Sequence, residues 1–428
     1  MSAAVDDQSA ARPAAALNRR TVLFAVLYAS EGAPIGFIWW ALPTLLRSAD
    51  VAVDRITTLT AVLLIPWIFK FLWAPLVDLF RGPRWGYRAW LVTMQVAMAL
   101  SLVPLIWLDP VNDFDWWRTL LLVHAFAAAT QDIAIDALAI GTVPAAVRGG
   151  LNGAMQAGML VGRSLFGGGI LLFAGLAGRE AMIGALVGWI LVALAAAMRV
   201  DGPEPGRDSA RSFAGTAMLA VRERRTWVGL AFALVSAAGF EATGQLAGPF
   251  LVDRGVSSES IGVFFGVFVV ASMLVGGLAG GVLSDRRGRT TVARWALYGF
   301  VIAIAAVAAA DLAGFTSTAF RLGLLTVMYF FVGLFTASSY AIFMDLTRPA
   351  IAATQFTAFM AATNACESWS AWTAGAIVAG YGYPASFLVM CVVSLLSLPL
   401  LRHIERIVAS GSHSTGTGSL QYDASRGG

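Results

Sequence analysis

Lysine is nearly absent from this chain. Of its 29 basic residues Lys70 is the one lysine, and the other 28 are arginines. Cysteine and histidine are almost as scarce, at two and three residues. Cys366 and Cys391 both fall inside apolar runs, so they read as small buried hydrophobes rather than a disulfide or a metal pair. His124, His403 and His413 are scattered and form no ligand spacing, so no metal centre and no cofactor is expected. The sequence holds no HExxH, no GxSxG and no Walker-type loop, and no soluble stretch large enough to bind a nucleotide or to signal. An enzyme or sensor is thereby disfavoured, and no catalytic residue is assigned.

Charge is also in short supply. Only 13% of the 428 residues are charged, where a soluble protein carries roughly a quarter. What fills the chain is apolar: 58% hydrophobic residues and a mean hydropathy of +0.75. Several runs are long enough to cross about 30 Å of hydrocarbon as a helix. The expected fold class is an all-α, polytopic membrane protein. The pI of 9.3 is explained by arginines gathered in loops on one side of the membrane, not by nucleic acid. The first apolar run is too long for a removed signal peptide, so it reads as a span that stays.

Twelve spans are expected, at roughly 21–46, 57–80, 88–108, 117–141, 149–175, 181–200, 226–251, 260–283, 291–311, 320–343, 354–379 and 382–402. They form two six-helix bundles, 21–200 and 226–402. A polar N-terminal tail (1–20), a Pro- and Arg-rich linker (201–225) and a Ser/Gly-rich, disordered tail (403–428) complete the chain. Arginines cluster before span 1, after even-numbered spans and in the linker, which places both termini in the cytoplasm. The halves repeat. Asp78-x-x-Arg81-Gly82 recurs as Asp285-Arg286-Arg287-Gly288, 207 residues later, and Pro43 to Arg47 recurs as Pro249 to Arg254. Such repeats are typical of secondary transporters, with the solute site near the midplane.

Gly281-Val-Leu-Ser-Asp285-Arg286-Arg287-Gly288-Arg289 resembles the loop signature of the major facilitator superfamily. The first copy, Ala74-Pro-Leu-Val-Asp78-Leu-Phe-Arg81-Gly82, departs from it. That copy, extended back to Lys70, resembles the AmpG-type permeases. So do Leu27-Tyr28 with Gly32-x-Pro34, Thr130-Gln-Asp-Ile-Ala-Ile-Asp136 and Ala353-Thr354-Gln355-Phe356. The group is similar to proton-driven muropeptide importers, and siderophore permeases of the rhizobactin and pyochelin type and acetyl-CoA transporters carry related motifs. AmpG-type muropeptide permeases often carry two extra spans, so with twelve spans and a short linker the resemblance leans towards the siderophore branch. The resemblance implies that Asp78, Arg81, Asp285, Arg286 and Arg289 form a cytoplasmic gate.

An ionisable residue at mid-bilayer costs at least about 2.5 kcal/mol, so it normally faces a cavity or a partner. Seven such residues stand out: Glu31, Lys70, Asp132, Asp136 and Arg163 in the first half, Glu241 and Glu367 in the second. Lys70 and Asp132 lie at matching depth and form the natural pair, with Asp136 or Glu31 available to Arg163. Asp136 is one turn from Asp132 on the same face. Glu241 and Glu367 have no base in their own half, and such a group can take up and release a proton as its surroundings change. Glu31 and Glu241 occupy nearly equivalent places in the repeat. The proton-coupling candidates are Glu31, Asp132, Asp136, Glu241 and Glu367. The solute-binding candidates are Lys70, Arg163, Gln156, Asn364, Trp369 and Trp372.

Trp39, Trp40, Trp116 and Trp117 read as interfacial belt residues. Gly158-x-x-x-Gly162 and Gly276-x-x-x-Gly280 allow close helix approach, and by the resemblance spans 5 and 8 meet across the halves. The resulting expectation is a monomeric, proton-coupled importer of an anionic or amphiphilic small molecule in the cell membrane, the inner membrane of a Gram-negative source. An exporter of drugs or metabolites with the same fold is the alternative.

Overall fold

The computed structural model describes residues 21–79, 86–142, 148–199, 222–347 and 352–416. The described residues fold into helices, with no strand among them. The apolar helices are Thr21–Ser48, Val53–Leu72, Tyr87–Ile106, Phe114–Ala139, Ala154–Ala197, Arg224–Asp253, Ser258–Arg287, Arg289–Leu312, Thr318–Leu346 and Gln355–Ile407. Ala154–Ala197 has 44 residues and Gln355–Ile407 has 53. At about 1.5 Å per residue, both are far longer than one crossing needs. Each breaks at a glycine with positive φ, Gly178 at 85° and Gly382 at 80°. Residues with a Cβ are strained there, so glycine permits the chain to break helix and start a second pass. Counted with these breaks, the twelve expected spans are present, numbered 1 to 12 in this order.

Several spans are interrupted near their middles. Span 2 was expected as one run, but it divides into Val53–Leu63, Ile65–Phe69, a 3-10 turn Lys70–Leu72 and Ala74–Leu79. Pro66 and Pro75 each lack an N–H, which removes two intrahelical bonds and explains the division. Lys70 therefore sits on the break itself. Span 7 breaks between Ser236 and Ala238. Spans 1, 5 and 8 each contain a wide π turn, at Phe37–Ala41, Ser164–Gly169 and Phe264–Val269. Such turns re-aim the side chains around them and often mark functional sites.

The two halves touch on the side of the midplane away from the termini. Gly248 of span 7 packs on Thr44 of span 1, and Gly375 of span 11 on Thr57 of span 2. Ser368 Oγ donates to the Ala61 carbonyl at 2.9 Å, and Ser164 Oγ to the Gly266 carbonyl at 2.5 Å. Spans 5 and 8 do meet across the halves, but at Gly168 and Gly266, whose backbones are in contact. The GxxxG motifs serve a different purpose from the one expected. Gly158 and Gly162 admit the backbone of span 1 at Ala25 and Ala29, and Gly276 and Gly280 that of span 10 at Phe330 and Leu334. Both motifs thus pack helices within a half.

Two further expectations change. Trp39 and Trp40 are not belt residues. Trp39 lies 6.0 Å from Trp67, and Trp40 is buried and stacks on Phe265 across the halves at 5.4 Å. The π turn at Phe37–Ala41 directs them inward. Trp117 is also buried, while Trp116 is exposed. At the C-terminus the last helix, Leu398–Gly416, continues past the expected end of span 12. Leu401 and Ile404 are buried and Glu405 pairs with Arg294 at 2.9 Å, which anchors its first part.

Candidate solute and proton site

Two ionic groups lie in the interior. The first belongs to spans 1, 2 and 4. Lys70 Nζ, presented by the break in span 2, donates to Asp132 Oδ2 as a short ion pair. The expected pairing is therefore in place. Asp136, one turn on, accepts from the hydroxyl of Tyr28, not from Arg163. Glu31 is buried beside them, within electrostatic reach of Lys70, Asp132 and Asp136. Ser30 next to it accepts from Gln131 Nε2 at 3.3 Å and Gln95 Nε2 at 3.5 Å.

The second group spans the interface. Arg163 ends the helix Arg148–Arg163, just before the π turn of span 5. It does not serve Asp136 or Glu31. Its charge acts on Glu241 and Glu367 of the other half. The two carboxylates with no base in their own half find one across the interface, which a reading of each half alone misses. Glu367 Oε1 accepts from Gln245 Nε2 at 2.8 Å. Tyr329 and Tyr340 of span 10 lie within reach of both carboxylates. Arg163 Nε is buried without a hydrogen-bond partner among the described residues, as are Gln245 Oε1 and the Tyr329 hydroxyl. A guanidinium with a donor to spare can receive an anionic group, the phenol can donate to it, and the amide oxygen can accept from a donor beside it.

The other candidates are dispersed. Gln156 is exposed, two turns before Arg163 on the same helix face. Asn364 is half-buried, one turn from Glu367 on span 11. Trp369 Nε1 donates to the Leu234 carbonyl at 3.0 Å, and Trp372 is 57% exposed. Glu31 and Glu241 face different surroundings despite their nearly equivalent places in the repeat. Glu31 points into its own half and Glu241 towards Arg163.

The gate residues lie far down the spans. Arg81 and the side chain of Asp78 fall outside the described residues. Asp285 and Arg286 are exposed. Arg289 pairs with Asp345 and donates to the Ala341 carbonyl at 3.1 Å, all within one half. Sequence reasoning missed a charged network at the opposite end. Arg47 pairs with Asp253 across the halves at 2.5 Å. Arg254 pairs with Asp311 at 2.5 Å, which raises the pKa of its guanidinium further through hydrogen bonding to that carboxylate. The signal was available: Arg47 and Arg254 end the two copies of one repeated segment.

A family model described as the Major Facilitator Superfamily matches residues 24–366. The chain belongs to the major facilitator superfamily. It is accordingly a multi-pass membrane protein and a secondary transporter. The anhydromuropeptide permease of Escherichia coli (strain K12) is 25% identical over 350 residues, covering 78% of this chain and 70% of that protein. A Rickettsia conorii protein named "Putative transporter AmpG 4" is 24% identical, covering 88% of this chain and 94% of its own. These relatives agree with the AmpG-type resemblance expected from the sequence. Among solved structures, the D-xylose-proton symporter superposes with a TM-score of 0.73 at 13% identity, covering 90% of this chain and 97% of that one. A bacterial homologue of the lysosomal transporter Spinster, in an inward-facing and unoccupied conformation, gives 0.71 at 13% identity, with 91% and 97% covered. At this identity the likeness concerns the fold.

Proposed function

We propose that this protein is a proton-coupled importer of an anionic solute of the muropeptide class, working by alternating access. The observation that carries the reading is Arg163, which reaches from one half towards Glu241 and Glu367 of the other. An anionic group of the solute meets the guanidinium between the halves, with Gln156 and Asn364 on the neighbouring helix surfaces and Trp369 and Trp372 further along span 11. Lys70 is engaged by Asp132 and so is the weaker candidate for solute contact. A solute bound at the interface touches both halves and biases their relative position, which alternating access requires.

Arginine placement supports cytoplasmic termini. With that orientation the contacts described between the halves lie on the outer side, and Asp285 and Arg286 are exposed on the cytoplasmic side. The gate of Asp78, Arg81, Asp285, Arg286 and Arg289 then engages in the opposite state. One copy of the chain holds every residue invoked, so a monomer suffices.

Uptake of a labelled anhydromuropeptide by cells expressing the protein tests the reading. Uptake is expected to depend on the protein and to fall when an uncoupler collapses the proton gradient. If removing the protein instead raises sensitivity to toxic compounds without affecting uptake, export is the function.

A further inference from the structure

The two interior groups differ in how completely their charges are matched. The group in the first half holds three carboxyls and one ammonium. Asp132 has Lys70 as its donor and Asp136 has the hydroxyl of Tyr28. Glu31 has neither. It is 4% exposed, and its Oε2 is buried without a hydrogen-bond partner among the described residues. It lies against span 4, where Gln131, the residue before Asp132, donates to Ser30, the residue before Glu31. Two ionised carboxylates have only acceptors to offer each other, so neighbouring buried carboxyls favour holding a proton between them.

The neighbouring amides point the same way. Gln95 and Gln131 both spend an N–H on Ser30 Oγ, and both leave Oε1 buried without a partner among the described residues. This layer is short of donors, so an ionised Glu31 would add one more unmatched acceptor to it. Among the described residues the surrounding elements offer no better cation. Span 5 packs on span 1 through Gly158 and Gly162, but its Arg163 acts on Glu241 and Glu367. Span 3 brings Gln95, and its Arg88 lies two turns away from that residue. Lys70 of span 2 is the cation within this group.

We infer that Glu31 and Asp132 share the coupling proton, with Lys70 as their fixed counter-cation, while the solute's anionic group is received separately at Arg163. This rests on the proton-coupled reading above and deepens it by naming the proton site. The step is a simple transfer. A proton from water on one side takes the carboxyl pair from two negative charges to one, which Lys70 balances, and release returns the proton to water on the other side. Without the proton the group gains one negative charge and grips Lys70 harder. The break in span 2 is then held against span 4. With the proton, the grip loosens and the lower arm of span 2, which carries Asp78, is freer to move.

The test uses purified full-length protein in proteoliposomes with an anhydromuropeptide and an imposed pH gradient. The proton-to-solute ratio is read from the reversal potential. Glu31→Gln is expected to lose gradient-driven accumulation and to lower that ratio by about one proton, while still showing detectable solute exchange. A wild-type ratio in Glu31→Gln would overturn the assignment. So would the same loss of coupling with retained exchange in Glu241→Gln or Glu367→Gln alone. If the wild type itself ignores the pH gradient, the proton-coupled reading fails, which is a distinct result. Infrared difference spectra of the wild type between acid and alkaline buffer give a second readout. A protonated-carboxyl band is expected that shifts in Glu31→Asp and is unmoved in Glu241→Gln and Glu367→Gln. A band unmoved by Glu31→Asp overturns the assignment even if Glu31→Gln fails to fold.

Discussion

Arg47 and Asp253 join the two halves of the transporter at the end away from its termini, with Arg47 Nε donating to Asp253 Oδ1 at 2.5 Å. Tyr383 donates to the other oxygen of Asp253 at 2.8 Å. The pair is half-buried, so solvent screens it only in part. Opening on that side requires it to break. Replacing Arg47 or Asp253 with Ala should favour the state open on that side by about 1 kcal/mol, roughly fivefold in population. Spin labels at Asp54 and Glu259 should report a larger share of long distances. The exchanged pair, Arg47→Asp with Asp253→Arg, should bring the distribution part of the way back.

Lys70 and Asp132 make a different prediction. Removing one member of a buried pair strands the other charge, at a cost of about 3–5 kcal/mol. Lys70→Ala should therefore lower thermal stability in detergent and reduce the folded yield. Lys70→Ala combined with Asp132→Asn should recover most of the stability without restoring gradient-driven uptake. If Lys70→Ala is fully stable, the pair contributes little to the fold.

Arg163 should matter for binding rather than folding. Loss of a charge-assisted hydrogen bond to the solute costs roughly 1.5–3 kcal/mol, which is about tenfold or more in affinity. Calorimetric titration of Arg163→Ala with an anhydromuropeptide should show that loss. Arg163→Lys keeps the charge without the planar fork and should fall between the two.

Gly168 and Gly266 test the closed face. A Cβ on Gly168 would run into the backbone of Gly266. Gly168→Val should prevent the halves from closing there, at a cost of about 1–3 kcal/mol. Transport should fall with little change in expression, and the Asp54–Glu259 label distance should lengthen.

Much of this was legible in the sequence because the membrane makes polar residues conspicuous. Each of the seven interior charges is visible against an apolar background, and the depth of Lys70 matched that of Asp132 by counting residues alone. The repeat offset of 207 residues exposed the two halves. The partner of Arg163 was not legible, since depth says nothing about rotation about the helix axis or about which half a side chain faces. The inward turn of Trp39 and Trp40 was hidden for a similar reason: it depends on a π turn with no sequence signature. GxxxG spacing signalled close packing but not which neighbour is packed. The break at Lys70 was within reach, because Pro66 and Pro75 bracket it.

The central claim is that a proton gradient drives solute movement through the site between the halves. The most direct measurement is solute accumulation in proteoliposomes holding wild type or Arg163→Gln, with and without an imposed pH gradient. We expect wild type to accumulate an anhydromuropeptide only while the gradient stands, and Arg163→Gln to accumulate far less at a solute concentration below saturation. Equal accumulation by the wild type with the gradient present and collapsed would contradict the account.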